Sequence, residues 1–141
     1  MRAETVIVGG GPAGSATACG LAALGRDVVL IERTAGPHHK VCGEFLSVET
    51  QTQLQRLGVD PSALGAPPIE QVAVYSSRRS VTSALPFRAL SLSRYRLDDA
   101  MLQRARASGT RLKRNVAVKS VTPDGAGWNV LCDDGETIYC R

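Results

Sequence analysis

Gly9, Gly11 and Gly14 stand at the spacing G-x-G-x-x-G within the run VIVGGGPAG, and Glu32 follows 18 residues after Gly14. Each residue type has a separate physical task in such a pattern. The first glycine permits a tight turn, the second lets a pyrophosphate approach the backbone, and the third lets a following helix lie close to the sheet. Pro12 falls at the first helical position, where its missing N–H costs nothing. With Ala13 and Gly14 it opens a helical turn whose free amides face an anion, the dipole contributing roughly 0.3–2 kcal/mol. Glu32 supplies a charged acceptor for a ribose diol, about 1.5–3 kcal/mol, and disfavours a 2′-phosphate. The pattern predicts a dinucleotide site, and by itself it does not choose between FAD and NAD.

These residues need a strand before the glycines, a helix after them and a second strand ending at Glu32. The sequence supplies all three. ETVIV at 4–8 is a short apolar strand, residues 12–24 are small and helix-favouring, and DVVLIE at 27–32 reads as a buried strand. Together they form a β-α-β unit with an expected right-handed crossover. Ser47 is placed to cap a helix running to about residue 57, with Glu49 in its first turn and Gly58 as its stop. Residues 59–68 read as a linker, followed by strands near 69–76 and 80–85. YRLDDAMLQRARASG is amphipathic, with Leu97, Ala100, Met101 and Ala105 at helical spacing and Gly109 ending it. Strands are expected at 110–122, 127–132 and 136–140, with residues 110–114 giving a third parallel strand and Asp134-Gly135 a hairpin turn.

Composition narrows the function classes. A chain of 141 residues with 43% apolar and 21% charged residues is of ordinary globular character. Its net charge of +4 is spread along the chain, and only six residues are aromatic. Both points argue against a nucleic-acid partner. Cys19, Cys42, Cys132 and Cys140 form no CxxC pair, and His38 and His39 near Cys42 lack further ligands, so no metal site is expected. Unpaired cysteines and the absence of a signal-peptide pattern or a transmembrane segment lead to the expectation of a cytoplasmic protein.

Three longer stretches carry a family resemblance. VIVGGGPAGSATACGLAALGRDVVLIER resembles the N-terminus of FAD-dependent oxidoreductases of the glutathione-reductase-like superfamily, in which the flavin half comes first. KVCGEFLS resembles the geranylgeranyl reductase family and its neighbours, the flavin monooxygenases of the aromatic-hydroxylase type and the flavin-dependent halogenases. LSRYRLDDAMLQRARASG is similar to their R-x-x-[LF]-D-x-x-L-x-x-x-A-x-x-x-G segment. The resemblance implies FAD as the cofactor, with Glu32 and Arg33 contacting its adenosine part. It implies that Lys40, Cys42 and Gly43 lie along the pyrophosphate and ribityl chain or near the isoalloxazine. Arg94 would reach the flavin from the start of its helix. Two residues keep alternatives, Arg94 as an ordinary surface arginine and Cys42 as a small buried residue.

The expected fold is therefore α/β, a Rossmann-like FAD/NAD(P)-binding fold with an incomplete parallel sheet, a β-α-β start and a β-meander at the C-terminus. Residues 1–67 and 93–141 would form the FAD-binding part, and 68–92 would be strands of a substrate-domain sheet. Strand 4, the later G-D motif and most of the substrate domain are expected beyond residue 141, as in an N-terminal portion of a flavoenzyme. Strand 1 would then be an open apolar edge and the crevice would have one wall. The resemblance implies an oxidoreductase that takes reducing equivalents from NAD(P)H and acts on a small organic or lipid-like substrate. A monooxygenase or halogenase of the same superfamily is the alternative within enzymes, and an inactive dinucleotide-binding module the alternative outside them. A plain NAD-dependent dehydrogenase would leave KVCGEFLS and the Arg94 helix unexplained. No catalytic acid or base is singled out, and the oligomeric state is open.

Overall fold

The computed structural model describes residues 1–141. The first half of the chain forms β1 (Thr5–Val8), α1 (Pro12–Ala23), β2 (Val28–Glu32), β3 (Phe45–Leu46) and α2 (Val48–Arg56). The second half forms β4 (Pro68–Tyr75), β5 (Ser80–Ser91), α3 (Arg94–Ala107), β6 (Arg111–Arg114), β7 (Val118–Asp124), β8 (Gly127–Cys132) and β9 (Thr137–Cys140).

The run VVLIE explains the centre of the molecule. All five residues of β2 are buried, because both faces of the strand are covered. Val29 and Ile31 meet Val116, Val130, Cys132, Ile138 and Cys140 from the meander side. Val28 and Leu30 meet Ala18 and Cys19 of α1 and Leu102 and Ala105 of α3. Such two-sided burial is what a continuous apolar run needs, each side chain contributing about 1.5–3 kcal/mol. β2 lies between β1 and β6 in a parallel sheet of order β1-β2-β6, with Ile7 opposite Leu30 and Glu32 opposite Arg114.

A third cluster joins α2, β3 and the end of β5 to the opposite side of α3 through Leu46, Leu54, Leu90, Leu97 and Met101. Ser47 caps α2 as its type predicts, its hydroxyl accepting the Thr50 amide at 3.3 Å. β3, β5 and β4 form an antiparallel sheet, and β7, β8 and β9 form the meander. No helix is long and apolar enough to cross a membrane.

Two sequence expectations are corrected, and one element is added. The strand at 110–122 is two strands in different sheets, because Asn115 takes φ 59° and turns the chain between them. Asparagine is among the few residues that accept this region readily. The strand at 80–85 runs on to Ser91, past Pro86, with a bulge between Ile69 and Gln71 on its partner. β3, only two residues long, has no periodic signal in the sequence. The expected open edge is present, since β1 pairs on one side only and Val8 is 58% exposed. Just before β1, the Ala3 amide donates to the Tyr139 carbonyl, and the Tyr139 amide to that of Met1, both at 3.0 Å.

Candidate functional site

The glycine loop joins β1 to α1 at the carboxyl end of the parallel sheet. Gly9 has φ 101°, a left-handed conformation that glycine adopts without strain, and its amide donates to the Ile31 carbonyl at 2.8 Å. A Cβ at Gly14 would stand 2.0 Å from the Gly9 carbonyl oxygen, so the first helical turn closes directly onto the loop. A Cβ at Gly11 would meet only the Arg94 Nη2, at 3.6 Å, which leaves that backbone open to a ligand. Pro12 begins α1; no side chain caps the helix and its first turn holds no acidic residue. The positive end of the dipole is therefore unopposed by any carboxylate of its own turn.

Glu32 is buried and holds the loop from the end of β2. Its Oε2 accepts the Gly10 amide at 2.6 Å, and its Oε1 accepts the Thr34 amide at 2.9 Å and the Thr34 hydroxyl at 2.8 Å. Burial works to raise this carboxyl. The amides of Thr34 and Gly10, with the Thr34 hydroxyl and the Lys40 charge, outweigh burial and hold the carboxyl below the usual range. A carboxylate offers about four acceptor positions, so three protein donors leave room for a further one. From the other side of the loop, the fully buried Ser15 hydroxyl donates to the Gly10 carbonyl at 3.1 Å.

A second carboxylate organises the cations. Asp98, on α3, accepts Lys40 Nζ at 2.8 Å and takes both arms of Arg94, Nε at 2.6 Å and Nη2 at 2.9 Å. Asp98 is 7% exposed. Burial would raise its carboxyl, and Arg94 and Lys40 together pull it below the ordinary value. Asp98 is in turn the main cause of the raised pKa of Arg94. His39 stacks on Tyr95 with ring centroids 5.0 Å apart, a second tie between this loop and α3. Next along the helix, Asp99 pairs with Arg114 at 2.9 Å, and the buried Nε of Arg114 has no partner.

The glycine loop, Glu32 and Lys40 border a cavity of about 370 Å³. Gly9, Gly11, Glu32, Arg33 and Lys40 line it, together with Val116, Ala117 and Val118. The link between β6 and β7 thus adds to the wall on the β2 side, where the Val116 amide donates to the Glu32 carbonyl at 3.3 Å. Pro12, Ala13 and Gly14 form the helical turn beside the cavity, and Arg94 reaches toward Gly11. This places Arg94 at the loop, in a bidentate ion pair, and not as a free surface arginine. Cys42 and Gly43 lie outside the cavity wall and are exposed. The alternative of a buried Cys42 is therefore corrected: its side chain is exposed, although the thiol remains close to the Arg94 guanidinium. All four cysteines are free, and burial pushes the thiols of Cys19 and Cys132 up, away from thiolate chemistry.

Sequence reasoning missed Gly10, Ser15, Thr34, Asp98 and the 116–118 wall as parts of the site. Gly10 was within reach, being the third glycine of one run, and a Cβ there would meet Leu102 at 2.6 Å. Asp98 carried a weaker signal, as the acidic position of the R-x-x-[LF]-D segment.

The sequence profile of the FAD binding domain family matches residues 2–139. The menaquinone reductase of Mycolicibacterium smegmatis is 34% identical over 154 aligned residues, which cover 99% of this chain and 36% of that protein. The chain thus spans about a third of the length of the curated relatives it matches. Among solved structures, the anhydrotetracycline hydroxylase OxyS of Streptomyces rimosus superposes with a TM-score of 0.80 at 26% identity, covering 99% of this chain and 30% of its own. The myxobacterial chondrochloren halogenase CndH superposes with a TM-score of 0.83 at 24% identity, covering 99% and 36%, a likeness of fold.

Proposed function

This chain belongs to the FAD binding domain family, and from that premise we propose that it holds the ADP portion of FAD in an oxidoreductase acting on a lipid-like organic substrate. One observation carries the reading. The glycine loop, Glu32 and Lys40 come from separate segments and line one cavity at the end of β2, and Arg94 stands beside Gly11 at its edge. The residues fit the cofactor. Gly11 offers bare backbone where a diphosphate must approach, the start of α1 offers amides, and the cations beside it match the ligand's charge. Glu32 takes the ribose diol with its remaining acceptor capacity, Arg33 adjoins the adenosine and Lys40 the diphosphate.

When bound, the flavin supplies the redox chemistry, and the chain's residues bind and orient it. The 34% identical menaquinone reductase supports a reductase; the geranylgeranyl reductase type and NAD(P)H as electron donor are part of the proposal and rest on the resemblance of KVCGEFLS. A second reading, flavin-dependent hydroxylation, draws support from the likeness to the tetracycline-pathway hydroxylase structure. Turnover of the whole protein without oxygen separates them, because a reductase continues and a hydroxylase stops. A cytoplasmic setting and a small organic or lipid-like substrate belong to this same proposal.

Titrating the chain with FAD tests the binding step. Saturating FAD at a hundredfold excess over Kd stabilises the folded state by about 2.7 kcal/mol. A raised melting temperature and a yellow, retained cofactor are expected. An unchanged melting temperature sinks the reading in favour of an inactive module. Glu32→Gln keeps the shape and removes the charge, so FAD affinity is expected to fall about tenfold; unchanged affinity would remove Glu32 from the site.

A further inference from the structure

The Lys40–Asp98–Arg94 cluster has a geometry that the glycine loop alone does not require. Asp98 is buried on α3, yet both of its oxygens are spent on cations, Lys40 of the cavity lining and Arg94 beside Gly11. Lys40 comes from a segment 58 residues away. Arg94 comes from the same helix, four residues earlier, with its Nη2 directed toward Gly11. Both cations are partly buried, with side chains 31% and 24% exposed.

We propose that Asp98 is a positioning residue, which fixes Lys40 and Arg94 as a pair beside Gly11 so that a bound diphosphate meets them in one geometry. The proposal rests on the FAD reading and deepens it. Lysine and arginine have the largest rotamer entropies of any side chains. Holding them in place beforehand means that this entropy is lost on folding and not on binding. The bidentate Arg94 fork adds direction, which a single-point contact would not. Glu32 and Asp99 are the other carboxylates near this cluster, and neither accepts a hydrogen bond from Lys40 or Arg94. Asp98 is therefore the one carboxylate that hydrogen-bonds both cations, with the Cys42 thiol a further neighbour of Arg94.

The sign of one substitution separates positioning from simple charge. Asp98→Asn adds one positive unit beside the loop, so Coulomb attraction alone would tighten binding of an anionic diphosphate. Positioning predicts the reverse, a loss of FAD affinity of about tenfold or more. A second readout needs no cofactor. Trypsin must take the Lys40 side chain into its own specificity pocket, and Asp98 holds that side chain. Cleavage after Lys40, relative to cleavage after the exposed Arg33, is expected to accelerate about tenfold in Asp98→Asn as the held state loses population. Asp98→Glu, which keeps the carboxylate, is expected to restore affinity to within about threefold of the parent.

Unchanged cleavage after Lys40 overturns the clamp, whether or not the chain binds FAD. Faster cleavage with unchanged or tighter FAD binding overturns the positioning role. If the parent chain takes up no FAD, the functional reading falls, and the cleavage ratio still decides the clamp. Should Asp98→Asn fail to fold, Arg94→Lys keeps the charge and discards the fork. It is then expected to lose FAD affinity about tenfold, and unchanged affinity overturns the proposal.

Discussion

β2 and the β4–β5 ribbon are both rich in valine, and they meet opposite surroundings. Every residue of β2 is buried, whereas seven of the eight residues of β4 are exposed, so the same side chain carries different weight in each. On one face of the ribbon Val72 and Val74 lie beside Val81, and all three are exposed. On β2, by contrast, the meander covers one face and two helices cover the other. The two regions therefore divide the labour. A strand clamped on both faces can carry a charged residue at its tip with little freedom of movement, and Glu32 stands at that tip. A ribbon with an uncovered face holds its shape through main-chain pairing and tolerates changes in side chain.

The largest effect expected from this contrast is at Leu30. Leu30→Ala removes a fully buried side chain between α1 and α3 and should cost about 2–5 kcal/mol in urea unfolding. A loss below about 1 kcal/mol would mean that β2 is not the anchor, since buried leucines do not behave so.

An intermediate effect is expected on acidification, and it belongs to the β2 end of the molecule. Glu32 and Asp98 both have folded pKa values below their ordinary ones. Their stabilisation is thus complete above the unfolded values of about 4, and is lost as pH falls through the lower, folded values. Urea midpoints measured from pH 7 down to pH 3 should decline most steeply below about pH 4, and Glu32→Gln should flatten that decline. An equal slope in the variant would show that Glu32 contributes nothing to the pH dependence.

The smallest effect should come from the ribbon. Val74→Thr retains β-branching at an exposed site and should change stability by less than about 0.5 kcal/mol. A loss approaching that of Leu30→Ala would erase the distinction between the two regions.

The features legible from sequence were those written in adjacent residues. The glycine run, the strand on each side of it and the 18-residue step to Glu32 come from local spacing, and the structure places them as that spacing requires. The start of α2 was likewise readable, because Ser47 and the Thr50 amide it accepts are neighbours. Asp98 was not readable as a site residue, since its meeting with Lys40 depends on how α3 lies against a distant loop. The 116–118 wall was hidden for a related reason. A single positive φ at Asn115 separates two strands that look continuous by composition, and only the turn brings Val116 over Ile31. Cys42 shows the converse, because an apolar character gave no sign that its side chain is exposed.

The seam between Ala3 and Tyr139 also bears on the order of events in folding. Its hydrogen bonds join Met1 and Ala3 to Tyr139, so they enclose a long loop. Loop-closure entropy grows only slowly with length, and the penalty in final stability is small. The penalty in time is larger, because distant contacts form late. β1, α1 and β2 can associate while the chain is still short. The meander that covers β2 is complete only with β9, so amide protection during refolding is expected to reach β1, α1 and β2 before it reaches the meander.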